Sequence, residues 1–263
     1  MKKNQYTQIS KNVLLTSDSP FAYTEAYKSL RTNMNFVTMN GKYKKIVVTS
    51  SIPDEGKSSI SINLATTLAQ KGAKVILVDC DMRSPSIHKY LSIKQKFDKG
   101  LSNLLAGAVS IEDCMIQDPA SNFAVIPSGE IPPNPSELLE SPNMKRLLDV
   151  LTERFDYVIC DTPPATVITD SAIVSRYCDG VLLVIRQKFA TREQVRKAKQ
   201  NLDAVGANII GAILDRYDAR EDANSGYRKG YGKYEYKYGY SYGPDTQNST
   251  VTAEKKRSCR LLL

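Results

Sequence analysis

Apolar and polar positions along this chain alternate between a helical and an extended period. Ser19-Pro20 reads as an N-cap and first-turn proline for a helix running through roughly Met34. Ile46–Thr49 is a short buried strand, Ser51–Gly56 a turn, and Lys57 to about Gln70 a helix. Lys74–Val78 is apolar after its first residue, the pattern of a strand covered on both faces. Phe123–Ile126, Tyr157–Cys160, Val181–Ile185 and Ile209–Leu214 supply further strands, with helical segments between them. Pro132-Pro133-Asn134-Pro135 forms a stiff turn ahead of a helix from about Ser136 to Glu140. This order predicts an α/β fold, doubly wound around a mostly parallel sheet, with its ligand beyond the carboxyl ends of the strands.

Three regions follow from the pattern: a polar lead-in over residues 1–18, a folded domain over 19–219, and a flexible tail over 220–263. The tail carries seven tyrosines, Tyr227, Tyr231, Tyr234, Tyr236, Tyr238, Tyr240 and Tyr242, set mostly among glycine and lysine. Leu, Ile, Val and Phe are absent between Gly226 and Gly243, so this stretch has too little apolar surface to offset the entropy of ordering it. A solvated row of phenols suits a substrate better than a scaffold.

The net charge is +8, and residues 216–263 hold ten Lys/Arg against six Asp/Glu. That tail charge is compatible with an anionic partner or with simple solvation; no specific nucleic-acid partner is expected. The five cysteines, Cys80, Cys114, Cys160, Cys178 and Cys259, show no close CxxC pairing, which argues against disulfides and structural zinc and fits a reducing compartment. Met1–Lys11 is too polar for a signal peptide, and apolar runs such as Val181–Ile185 fall short of a membrane span. Cys259 stands one position too early for a prenylation box. Attachment to a membrane would need a partner.

The chemistry concentrates at three strand ends. Asp54-Glu55-Gly56-Lys57-Ser58-Ser59 joins a buried strand to a helix, and Gly56-Lys57-Ser58 fits the second half of a P-loop. In such a loop, backbone N–H groups and the helix N-terminus cradle phosphates, the lysine neutralises them, and the hydroxyl binds Mg²⁺. Ser51 stands where the first glycine of the pattern belongs, and Asp54 is expected in a left-handed turn conformation. Val75–Val78 leads into Asp79-Cys80-Asp81-Met82-Arg83, and Tyr157–Cys160 leads into Asp161. Alternate residues at a strand end share a side, so Asp79 and Asp81 are placed to approach one metal or one hydroxyl. Cys80 and Cys160 read as packing groups, and His88, the sole histidine, as a surface residue.

These residues resemble the bacterial tyrosine kinases of capsule and exopolysaccharide synthesis, in particular the separate kinase of the two-protein Gram-positive type. The family's EGK[ST] loop end is matched at Glu55–Ser58, its DxDxR element at Asp79, Asp81 and Arg83, and its Walker B aspartate at Asp161. Its PPNPSELL segment appears as Pro132–Leu139 and its terminal tyrosine cluster at Tyr227–Tyr242, so the resemblance spans roughly residues 18–243. It implies an ATP- and Mg²⁺-dependent protein-tyrosine kinase. Lys57 would hold phosphates, Ser58, Asp81 and Asp161 would serve Mg²⁺, and Asp79 would orient or deprotonate the attacking phenol. Asp54, Glu55, Gly56, Ser59, Arg83 and Asp215 would complete the nucleotide site, Asp215 standing where relatives usually have asparagine near the adenine. The family's ExxRxxR helix appears as Glu25, Lys28 and Arg31, implying assembly into a homo-oligomeric ring. A transmembrane adaptor of the polysaccharide co-polymerase type and a cognate tyrosine phosphatase are the implied partners. Two alternatives stand beside this reading. A partition-type ATPase would carry a signature lysine where this chain has Ile52, and a non-catalytic nucleotide-binding regulator would not need the full acidic set.

Overall fold

The computed structural model describes residues 14–38, 43–93, 99–117, 122–217 and 259–262. The tyrosines at 227–242 and most of the lead-in lie outside the described residues. Helix α1 (Phe21–Thr38) precedes the sheet, β1 (Lys45–Ser50) feeds α2 (Lys57–Ala69), and β2 (Val75–Asp79) leads into the short α3 (Ile87–Tyr90). Two further short helices, α4 (Leu101–Leu105) and α5 (Ile111–Cys114), precede β3 (Ile116–Gln117) and β4 (Phe123–Ile126). Helices α6 (Pro135–Glu140) and α7 (Pro142–Arg154) return the chain to β5 (Tyr157–Asp161). The rest is α8 (Asp170–Ser175), β6 (Gly180–Arg186), α9 (Arg192–Asp203), β7 (Ile209–Asp215) and β8 (Cys259–Leu262).

The eight strands form one sheet in the order β3-β4-β2-β5-β1-β6-β7-β8. The six central strands are parallel, and only the two edge strands, β3 and β8, run antiparallel. The predicted doubly wound sheet is therefore present, and the strands run one or two residues further than the apolar pattern marks. Asp79, Asp161 and Asp215 are the last residues of β2, β5 and β7.

Both faces of the sheet are covered, because successive side chains of a strand point to opposite sides. Ile46 and Val48 of β1 pack with Tyr27, Leu30 and Met34 of α1 and with Ile60, Leu64 and Leu68 of α2. Val47, between them, joins the opposite cluster with Leu147, Leu148 and Leu151 of α7 and Ala198 and Leu202 of α9. Each fully buried aliphatic side chain contributes about 1.5–3 kcal/mol relative to exposure. Deleting one in the helix that follows the phosphate loop, as in Leu64→Ala, is expected to cost about 2–5 kcal/mol.

Cys259–Leu262, read from sequence as part of a flexible tail, pairs antiparallel with β7 from Ala212 to Asp215 and lies against α1. Apolar patterning does not foresee this strand, since its pairing crosses the whole 216–258 segment.

Candidate active site

The loop after β1 takes its shape from one carboxylate. Glu55 is buried; its Oε2 accepts from Ser51 N (2.7 Å) and Ile52 N (2.9 Å), and its Oε1 accepts from Arg186 N (3.0 Å) at the end of β6. A carboxylate holding three backbone donors fixes the loop's curvature. Glu55, expected as part of the nucleotide site, uses its side chain to hold the loop itself. Asp54 does take a left-handed conformation, at φ 64°, and its side chain is exposed. Gly56 follows at φ 91°, a conformation that favours glycine, and a Cβ there would stand 2.9 Å from Asp215 Oδ2.

Helix α2 starts at Lys57 with its first N–H groups beyond the reach of its own carbonyls. Lys57 Nζ reaches across to Asp81 Oδ2 at 2.9 Å and lies 3.3 Å from Ser58 Oγ. Ser58 Oγ donates to Asp161 Oδ2 at 2.6 Å, and Ser61 Oγ, one turn later, donates to Asp161 Oδ1 at 3.0 Å. The Ser59 hydroxyl turns back to donate to Gly56 O (2.9 Å). Asp79 and Asp161 are direct register partners in β2 and β5, which brings two buried carboxylates side by side. Asp79 Oδ1 accepts from Asp81 N (3.2 Å), whereas its Oδ2, fully buried, has no hydrogen-bond partner among the described residues.

Charge balance follows this geometry. Burial acts to lower the Lys57 pKa, but Asp161, Asp81 and Asp79 together outweigh it and hold the ammonium charged beyond the ordinary lysine value. Burial pushes the Asp79 carboxyl well up, and the neighbouring Asp161 adds to it; Lys57 offsets only part. Burial also raises Asp161, against the pull of Lys57 and the Ser58 hydroxyl. One cation therefore serves three carboxylates, and the cluster has negative charge to spare for a divalent ion.

Among the described residues no group of three or more His, Cys, Asp or Glu side chains is arranged to hold a metal alone. The donor set nonetheless fits Mg²⁺, which is usually bound by one or two carboxylates with phosphate and water oxygens. The Ser58 hydroxyl, Asp161 and Asp81 supply that protein share, and the unpartnered Asp79 oxygen remains for a hydroxyl donor.

Other expected site residues are placed differently. Arg83 donates through Nε to Asp170 Oδ2 (2.8 Å) and through Nη2 to Ser136 Oγ (2.8 Å), and Ser136 Oγ also bonds Asp170 Oδ1 (2.6 Å). This network ties the loop after β2 to α6 and α8, so Arg83 positions the loop carrying Asp81, in place of its expected contact with nucleotide. Glu25 and Lys28 form an exposed ion pair at 2.7 Å, while Arg31 Nη1 donates to Thr67 O (3.2 Å) in the last turn of its own α2. Two of the three expected assembly residues thus face solvent and the third is tied to its own subunit. His88 is half-buried at α3, more enclosed than a surface reading implies. Asp170 and Ser61 escape a motif reading because neither lies in the loop or strand-end patterns, and Ser136, inside the Pro132–Leu139 segment, has no role assigned by it. Tyr90 escapes it too: burial raises its phenol pKa, and it senses Lys57, Asp161, Asp54 and Arg216, which puts it beside the site.

A loop of P-loop form between a central parallel strand and a helix, faced by acids at the ends of β5 and β2, the next two strands on one side, defines the P-loop nucleotide-binding class. The family model described as AAA domain matches residues 43–210. The tyrosine-protein kinase YwqD of Bacillus subtilis is 35% identical over 215 residues, covering 82% of this chain and 90% of YwqD. The solved kinase domain of the Escherichia coli tyrosine kinase ETK superposes with TM-score 0.69 at 37% identity, covering 73% of this chain and 74% of that domain. Of the whole etk chain, this protein spans 29%. The cell-division ATPase MinD of Pyrococcus furiosus is less similar, with TM-score 0.57 at 25% identity and 68% and 74% of the two chains covered. The chain belongs to the bacterial tyrosine-protein kinases.

Proposed function

We propose that this protein transfers a phosphoryl group from Mg–ATP to tyrosines of its own 227–242 segment, in trans within a homo-oligomer, and thereby regulates polysaccharide synthesis or export. The observation that carries the reading is the convergence of Lys57, Asp81, Asp161 and Ser58 on one centre, with a buried, unpartnered Asp79 oxygen beside it. Phosphoryl transfer asks mainly for positioning and charge neutralisation, which this set supplies.

In this account the loop N–H groups and Lys57 bind the phosphates, and Ser58 with Asp161 and Asp81 would hold Mg²⁺. A Mg²⁺ ion held there would supply charge neutralisation for the phosphate oxygens during transfer. Ionised Asp79 accepts the phenol's hydrogen bond through Oδ2 and takes its proton as the new O–P bond forms and the bond from the γ-phosphorus to the leaving ADP breaks. Lys57 favours the ionised Asp79 that this step needs, against the burial that raises its pKa. Arg83, Asp170 and Ser136 keep the Asp81 loop in register, and Glu55 keeps the phosphate loop closed on its own backbone.

No helix among the described residues is long and apolar enough to cross a membrane. Action at a membrane would therefore use a transmembrane adaptor, and a cognate phosphatase would reset the tail. Each phosphate adds close to two negative charges, so several would invert a basic segment and loosen contacts between subunits. Incubation of the purified chain with Mg–ATP, followed by mass analysis of the 227–242 peptides, tests the proposal. Phosphotyrosine is expected there, and its absence under conditions in which nucleotide binds would reduce the protein to a nucleotide-binding regulator.

A further inference from the structure

Asp161 is held by two hydroxyls of one helix. Ser58 and Ser61 stand three residues apart on α2, the spacing that puts two side chains on one helix face. Ser58 Oγ donates to Asp161 Oδ2 at 2.6 Å and Ser61 Oγ to Asp161 Oδ1 at 3.0 Å, so each carboxylate oxygen has its own donor. Ser61 and Asp161 are both fully buried. The Ser61 hydroxyl also lies 2.9 Å from Lys57 O, the carbonyl one turn back in its own helix. It has a single proton to give, and the ionised carboxylate is the stronger acceptor. Serine is a weak helix former, because its hydroxyl competes for backbone groups. Its neighbours Ile60 and Ile62 pack into the apolar core. Alanine would fill nearly the same space with better helix propensity, so packing does not account for a hydroxyl here.

We propose that Ser61 is a positioning residue for magnesium: by fixing Asp161 Oδ1 it fixes the orientation of the carboxylate that serves the ion. The Ser58 hydroxyl gives its one proton to Asp161 Oδ2, which leaves its lone pairs free for a cation. The direction of those lone pairs depends on where Asp161 Oδ2 stands. With Ser61 in place the carboxylate is gripped at both oxygens. Without it, Oδ1 is a buried acceptor with no donor among the described residues, and the group is free to turn about its Cβ–Cγ bond. A misaligned Asp161 weakens the hold on the metal and spares the phosphate contacts of the loop N–H groups and Lys57. The inference rests on the Mg–nucleotide reading above and deepens it, from the residues that hold the ion to one that keeps them in place.

The test is titration calorimetry of ADP into the full chain, across a series of Mg²⁺ concentrations and in EDTA, which needs no phosphoryl transfer. For Ser61→Ala, the Mg²⁺ concentration that gives half of the gain in ADP affinity is expected to rise about tenfold, the lower end of what losing an outer-shell partner does. ADP affinity in EDTA should stay at the wild-type value. Ser61→Thr keeps the hydroxyl and should recover most of the loss. Initial rates of tail phosphorylation by Ser61→Ala should fall at limiting Mg²⁺ and return close to the wild-type rate at saturating Mg²⁺. An unchanged Mg²⁺ midpoint in Ser61→Ala overturns the proposal. So does an equal loss of ADP affinity with and without the metal, the mark of a merely structural role, or a Ser61→Thr chain of normal Tm that recovers nothing. A wild-type chain whose ADP affinity ignores Mg²⁺ would sink the Mg–nucleotide reading and this proposal together, whereas a Mg²⁺-dependent wild type with an indifferent Ser61→Ala sinks this proposal alone.

Discussion

Lys57 Nζ and Asp81 Oδ2 lie 2.9 Å apart, joining the first residue of α2 to the loop after β2 in a nearly buried ion pair. The same ammonium is the main compensation for Asp161 and Asp79. Lys57→Met is expected to abolish tail phosphorylation and to destabilise the ligand-free protein by about 3 kcal/mol, since removing one partner leaves buried charge uncompensated. Chemical denaturation with a phosphotyrosine assay reads both. Loss of activity with unchanged stability would mean that the pair is more solvated than its geometry shows.

Asp79 carries the opposite balance. Burial, then Asp161, raises its folded pKa well above the ordinary aspartate value of about 4 in the unfolded chain. Between those two values the unfolded chain releases the proton while the folded protein retains it. The stability linked to this group is therefore full below about pH 4 and is lost as pH rises through the raised folded value. Asp79→Asn should be more stable than wild type at pH 7 by about 1–2 kcal/mol, yet inactive, as is common where a site holds strain for function. Melting curves of both proteins across pH should converge on acidification. A variant less stable than wild type at pH 7 would show that the Asp79 carboxylate is stabilised in the folded state.

Glu55 links two strand ends that are 131 residues apart in sequence at its contact with Arg186 N. Glu55→Ala removes three charge-assisted acceptor contacts, and a loss of about 2–3 kcal/mol is expected with weakened nucleotide binding. Glu55→Gln retains acceptor capacity on one oxygen and should fall between. Calorimetric Tm and Mg–ADP affinity are the readouts, and a normal Tm with lost affinity would instead put the Glu55 side chain on the ligand.

Arg83 and Asp170 form an unequal pair, the arginine 38% exposed and the aspartate fully buried. Arg83→Ala leaves a buried carboxylate without its cation, and about 3 kcal/mol of destabilisation is expected. Arg83→Ala with Asp170→Asn should recover much of it, because the buried charge goes too. If the double variant is no better than the single one, packing of the arginine stem rather than charge accounts for the effect.

The parts of the site that are legible in sequence are local ones. An apolar strand ending in an acid announces Asp79 and Asp161, and Gly56-Lys57-Ser58 between strand and helix announces the phosphate loop. What sequence conceals is which of two nearby chemistries a polar side chain adopts. Glu55 and Arg83 sit inside the motifs, but their partners Arg186 and Asp170 are 131 and 87 residues away, and tertiary packing directs them to backbone and carboxylate. Arg31 likewise turns to Thr67 O, a contact set by α1 packing on α2. The β8 strand pairs with β7 across the 216–258 segment, and its four residues carry no periodicity long enough to read.

Transfer of phosphate between copies of this chain is open to a single mixing experiment. Lys57→Met chains with an intact tail are combined, with Mg–ATP, with active chains whose seven tail tyrosines are Phe. Mass analysis then reads the 227–242 peptides of the Lys57→Met chains. Phosphotyrosine is expected on those peptides, rising with the concentration of the active chain. Unmodified peptides in the mixture, alongside phosphorylated tails in the wild-type protein alone, would contradict transfer in trans.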